Sequence, residues 1–264
     1  MLIKTQGNLI QFCPVFFLYN LKYCGIYYAM KISYNFFRKY IANFIIILAI
    51  ILVGAITYTG GVQKVFSSTN CKAIYSGNAS NNAVSLMFNV YMGNEYVESI
   101  LNTLDEKGVK ATFFVGGTWV NNNEDCFSKI VKSGNEIGSH GYWHKDHDKI
   151  SDDEQANEIV MTDELVSKIS GIKMGLFAPP SGAYNSRTVE IADALGYKTI
   201  MWSLDTIDWR DKDENIILER ASKAKAGDLI LMHPTECTAG VLYKIIDNIL
   251  NKGLKIMTVS GNLL

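Results

Sequence analysis

From Ala83 to the carboxyl end, short apolar runs alternate with segments of helical period, and this alternation constrains the fold more than any other feature. The runs are Val84–Phe88, Ala111–Val115, Glu136–Ser139, Leu176–Ala178, Lys198–Trp202, Asp228–Met232 and Lys255–Val259. Between the first two, Glu95–Lys107 carries Val97, Ile100, Leu101 and Leu104 at helical spacing and stops at Gly108. Helices are likewise expected over Asp125–Lys132, from Ser151 to about Ile169, from Asn185 to Gly196, over Glu214–Ala224 and over Val241–Asn251. Ser151 followed by Glu154 is a capping box that fixes the start of the longest of them. Strands separated by whole helices cannot pair as hairpins, so the sheet is parallel and the class is α/β, a barrel or a doubly wound sheet. Either architecture collects functional groups at the carboxyl ends of its strands.

Ahead of this region lies an uncharged apolar run, Ile41 to Tyr58, about as long as the lower end of a membrane-spanning helix. Lys31, Arg38 and Lys39 precede it with no acidic residue to balance them, which places residues 1–40 in the cytoplasm and everything after the run outside. Small residues at Val53-Gly54-Ala55 leave open a secreted protein cleaved near Ala55. Met30 directly precedes the basic cluster, and a start there makes residues 1–29 an untranslated extension. Residues 59–82, rich in Ser, Asn, Gly and Thr, are expected to form a linker, with the globular domain over 83–264.

Charge excludes one class of partner. No Asp or Glu precedes Glu95, and 7 of the 25 basic residues do, which leaves 18 basic against 26 acidic residues from Glu95 onward. Such a domain repels phosphate backbones, so nucleic acid is not its ligand. The five cysteines show no zinc spacing, and no disulfide is expected.

All four histidines fall at strand ends. His140, His144 and His147 lie in SHGYWHKDHD and His233 in LILMHP. Two imidazoles four residues apart, with Asp146 and Asp148 beside them, suit a divalent transition metal such as Zn²⁺, and an exposed polar loop is the alternative. Asp205 and Asp208 follow another strand, where carboxylates also serve as turn or helix caps. Trp143 and Trp209 have the chemistry to stack on sugar rings, although either alone is as readily core.

The segments FNVYMGNEY, ATFFVGG, EIGSHGYWH, LFAPPSGAYN, WSLDTIDW and ILMHP occur in the order and approximate spacing of the NodB-homology domain. The chain therefore resembles the polysaccharide deacetylases, carbohydrate esterase family 4, from about Val84 to its end, and especially a divergent membrane-anchored group from spore-forming bacteria. The resemblance implies a distorted (β/α) barrel, preceded here by one transmembrane helix. It also implies a divalent metal, usually zinc, held by two His and one Asp. The implied reaction is hydrolysis of the acetamide of an N-acetylated polysaccharide such as peptidoglycan, by a monomer. Position by position, it makes His140 and His144 the metal-binding histidines, His233 the general acid and Asp205 the carboxylate that holds it. Pro179, Pro180, Ser181, Gly182, Asp208 and Trp209 fall at its substrate-lining positions, where a backbone N–H helps hold the oxyanion.

Several positions depart from the family pattern. The base and third metal ligand, normally two aspartates, are Asn89 and Val90. The arginine that pairs with the base is Ala178, and the aromatic after the prolines is Ser181. Losing the base and its arginine together is coherent, because an arginine facing a neutral amide is an unpaired charge. Glu95, Asp146 and His147 are the candidates for a replacement ligand. Two readings follow: a working hydrolase with a rewired base, toward which the retained His233 and Asp205 lean, or a glycan-binding pseudoenzyme.

Overall fold

The structure is a computed structural model and describes residues 40–41, 43–52 and 72–264. The chain divides into two compact units, Met1–Val65 and Phe66–Leu264. In the first, residues 40–41 and 43–52 are helical, with the side chains of Phe44 and Ile50 exposed. Among the described residues no helix is long and apolar enough to cross a membrane. Residues 42 and 53–58 of the expected span, and the cleavage site with them, lie outside the described residues, as does Cys71. Cys126 and Cys237 are free thiols.

The second unit is the expected α/β domain. Its strands are β1 (Ala83–Val90), β2 (Thr112–Val115), β3 (Glu136–Ser139), β4 (Leu176–Phe177), β5 (Lys198–Thr199), β6 (Leu204–Asp205), β7 (Leu229–Met232) and β8 (Lys255–Ile256). All pairings are parallel, in the order β5-β4-β3-β2-β1-β7-β6, with β8 beside the start of β1. The helices are α1 (Val97–Glu106), α2 (Gly117–Asn122), α3 (Glu124–Lys132), α4 (Asp152–Ser170), α5 (Ser186–Ala194), α6 (Glu214–Ala221), α7 (Glu236–Asn251) and α8 (Val259–Leu263).

The two faces of the curled sheet are both apolar but differ in what covers them. Leu86, Phe88, Val90, Phe113, Val115, Ile230 and Met232 pack outward against helices through Ile100, Leu104, Phe127, Ile130 and Ile245. Met87, Phe114, Leu176, Ala178, Ile200 and Leu229 form a smaller inner cluster, closed by Val259 of α8. Strand β1 is buried on both faces and is apolar but for Ser85 and Asn89.

Helix α2 and strand β6 have no counterpart among the expected elements, and three further segments differ from expectation. Residues 74–82, assigned to a linker, belong to the fold: Ile74 bridges Ile200 at one sheet edge and Ser76 bridges Asp228 near the other. Residues 255–259, expected as one strand, give a two-residue β8, after which Thr258 caps α8 by accepting from the Gly261 N–H. Helix α7 starts at Glu236 rather than Val241, because the Thr235 side chain accepts from the Thr238 N–H.

Candidate active site

The carboxyl ends of β1, β3 and β7 bring the histidines into one region. His140 follows β3 and is 1% exposed. Its Nδ1 lies 2.8 Å from the Ala178 carbonyl. A carbonyl only accepts, so Nδ1 carries the proton and Nε2 keeps its lone pair. Burial, reinforced by the neighbouring His144, pushes its pKa well below the usual imidazole range. His144 sits edge-on to His140 with ring centroids 5.0 Å apart, and burial also lowers its pKa. Both rings are thus neutral at physiological pH, the form that binds a metal ion.

Loop geometry places His144. Gly141 has φ 72° and His144 itself φ 58°, so the chain turns twice through left-handed conformations. A side chain at 141 meets Glu158 Oε2 at 2.9 Å, which explains glycine there. The N–H groups of Gly117 and Thr118, at the start of α2, donate to the carbonyls of Gly141 and Tyr142 at 2.9 Å each. Tyr91, just past β1, stacks on the His144 ring at 3.7 Å between centroids and 21° between planes.

The acid half of the site differs from expectation in its carboxylate. His233 Nδ1 lies 2.8 Å from Asp208 Oδ1, and the His233 backbone N–H donates to Asp208 Oδ2 at 2.6 Å. The Thr238 hydroxyl donates to the same oxygen at 2.5 Å. Asp208, 1% exposed, is therefore the partner of His233, and not Asp205. Asp205 turns back on its own loop, its Oδ1 accepting from the Ile207 N–H at 2.7 Å. Ile207 has φ 53°, a costly conformation for a β-branched residue, and this kink carries the chain from Asp205 to Asp208. Because Asp208 only accepts, His233 Nδ1 is a donor and Nε2 keeps its lone pair. The charge of His233 adds slightly to the lowering of both the His140 and the His144 pKa.

The positions expected to carry the base, the third ligand and the arginine hold no charged group. Asn89 is 4% exposed and its Oδ1 is buried without a partner. Val90 faces outward into the sheet–helix core. Ala178 is fully buried in the inner apolar cluster. None of the candidate replacement ligands joins the pair. Glu95 is exposed and accepts from the Asn94 N–H at 2.9 Å. Asp146 is engaged by Lys149 at 2.7 Å and by Ser181. His147 is fully buried, its ring 4.8 Å from that of Phe177 and both nitrogens unpartnered. Among the described residues no group of three His, Cys, Asp or Glu is placed to hold a metal ion. His140 and His144 fit a divalent cation as two ligands, with no third protein ligand at hand.

The Pro179–Gly182 turn lies beyond β4. Ser181 adopts φ 55°, and the Gly182 N–H donates to Pro179 at 3.0 Å, so that amide closes the turn rather than waiting for an oxyanion. Three of the four left-handed non-glycine residues among the described ones, His144, Ser181 and Ile207, occur in these loops, as strain at functional sites does. Trp143 and Trp209 are 48% and 56% exposed, available for stacking rather than packed as core.

Comparison with known proteins agrees with this fold. A family model described as polysaccharide deacetylase matches residues 76–200. The chain is 40% identical over 188 residues to the uncharacterized protein YlxY of Bacillus subtilis (strain 168), a match covering 71% of this chain and 59% of that relative. It is 31% identical over 172 residues to a peptidoglycan-N-acetylglucosamine deacetylase of Bacillus cereus, covering 62% of this chain and 80% of that one. Its fold superposes with a TM-score of 0.72 on a CE4 family pseudoenzyme from Bacillus anthracis, 36% identical, covering 73% of this chain and 69% of that one. A mutant of that pseudoenzyme, described as having restored enzymatic activity, matches equally at a TM-score of 0.72 and 34% identity, over 73% of this chain and 71% of that one.

Proposed function

Because the chain belongs to the polysaccharide deacetylase family, we propose that it engages an N-acetylated polysaccharide of the peptidoglycan type through this cleft and turns it over far more slowly than a member with a carboxylate base. One observation carries the reading: an intact acid half stands beside an absent base half. His233, oriented by Asp208 and Thr238, has Nε2 available to protonate a leaving amine. Asn89 accepts no proton, and loss of a general base costs about 10²–10⁴-fold in rate. A divalent cation such as Zn²⁺, held by His140 and His144, would polarise the acetamide carbonyl. Trp209 and Trp143 offer exposed faces to sugar rings.

Calorimetric titration of the full chain with N-acetylglucosamine oligomers tests the binding claim. Saturable binding, weakened by Trp209→Ala, is expected. No binding of acetylated oligomers, or binding of deacetylated ones with equal affinity, contradicts it. A second reading, a working deacetylase, is favoured by the pairing of His233 with the buried Asp208, which a pure binder has no need to keep. The same proposal puts the domain outside the cell membrane, tethered by the uncharged run 41–58 behind its basic residues. Full-length protein should then survive alkaline carbonate washing with the membranes and be digested by protease added outside. Recovery in the cytosol argues against the tether, and full release into the medium favours cleavage near Ala55.

A further inference from the structure

We infer that Glu158 is the positioning residue of the two-histidine loop: its buried carboxylate holds the backbone between His140 and His144 so that both rings face one point. The inference rests on reading those histidines as the metal-binding pair. Glu158 lies on α4, is fully buried, and has no cation in hydrogen-bonding contact. Its Oε2 accepts from the Tyr142 N–H at 2.7 Å and from the Trp143 N–H at 2.8 Å. The opposite edge of the same peptides is held by α2, through the Gly117 and Thr118 N–H groups and the Thr118 hydroxyl at 3.0 Å.

The loop is thereby gripped from two elements at the step before His144, whose left-handed φ persists only if the surroundings impose it. Burial raises the pKa of Glu158 while the two amides oppose that shift. Its Oε1 has no partner, so the buried carboxylate sits there at a cost. Glu158 touches neither histidine ring, so it acts through the loop and is not itself a ligand.

Zinc titration and amide hydrogen exchange on the detergent-solubilised full chain test this. Glu158→Gln keeps an oxygen able to accept both N–H groups and should hold zinc affinity within about threefold of wild type. Glu158→Leu removes the acceptors and should weaken zinc by about 10- to 100-fold, the range for residues that orient a ligand. The matched control is Ile159→Ala, also fully buried on α4, which should lower thermal stability without moving zinc affinity. Should Glu158→Leu not fold, Glu158→Asp keeps the charge, loses the reach, and should weaken zinc while Glu158→Gln does not.

Equal zinc loss in Ile159→Ala, or wild-type affinity in both Glu158→Leu and Glu158→Asp, overturns the inference. If wild type binds no zinc, the metal pair falls instead, and Glu158 is judged on its loop. Faster exchange at Tyr142 and Trp143 with a shifted His144 ring resonance, absent in Ile159→Ala, then upholds the role. Unchanged exchange rejects it.

Discussion

Restoring the base and its partner should behave as one coupled substitution. Asn89 alternates with Phe88 and Val90, which face outward, and so shares the inner face with Met87 and Ala178. That face is apolar and Asn89 is 4% exposed. A carboxyl at 89 alone is desolvated without a cation, which raises its pKa above the unfolded value of about 4. Such a group costs little below pH 4 and costs more as pH rises through the interval up to the raised pKa. A shift of about two units removes roughly 3 kcal/mol by pH 8.

Arginine at 178 alone inserts a charge among Phe114, Leu176 and Ile200 and should cost about 3–5 kcal/mol. Together the two charges compensate each other, so the double variant should be more stable than the sum of the singles by at least about 2 kcal/mol. It should also lack the pH slope of Asn89→Asp. Urea unfolding of wild type, both singles and the double at pH 5 and pH 8 measures this. Additive losses, or an Asn89→Asp variant as stable as wild type at pH 8, refute the claim that 89 and 178 form one unit.

Other outcomes follow from the same geometry. His147 has its pKa pushed down to about 4 by burial, below its unfolded value, so its share of stability is complete above pH 6.5 and is lost as pH falls toward 4. His147→Leu should therefore flatten the acid limb of thermal melts and stabilise the protein more at pH 5 than at pH 8; equal shifts at both contradict this. Asp208→Ala strips three donors of their acceptor and should destabilise by about 3 kcal/mol, against less than about 1 kcal/mol for Asp205→Ala, read by urea unfolding. Val90→Asp alone buries a carboxylate in the sheet–helix core and should cost about 3 kcal/mol without tightening zinc; tighter zinc binding shows instead that the strand end can turn inward.

The alternation of strands and long helices, the parallel sheet and the gathering of histidines at strand ends were legible in the sequence because period, capping and loop position are local, whereas the short α2 and β6 were not. The capping box at Ser151 is present as read. What depended on a single backbone torsion was not legible. Asp205 is the first carboxylate after the apolar run 198–202 and ends β6, yet the left-handed Ile207 hands the contact with His233 to Asp208. The plug α8 hid behind an apolar run that also reads as a strand. Glu158 did leave a signal: it lies on the buried stripe of α4 with Gln155, Ile159, Thr162 and Val166, where a carboxylate needs a reason. Tyr91, which covers His144, gave none, since stacking follows from how two loops meet.

Acetate release from peptidoglycan, followed side by side for wild type and for Asn89→Asp/Ala178→Arg with glycan binding measured in the same samples, tests the central claim most directly. The account predicts that both bind, that wild type releases acetate at a rate at least about 10²-fold below the double variant, and that His233→Ala abolishes the gain. Wild-type release at the rate of the double variant contradicts it, because Asn89 then limits nothing.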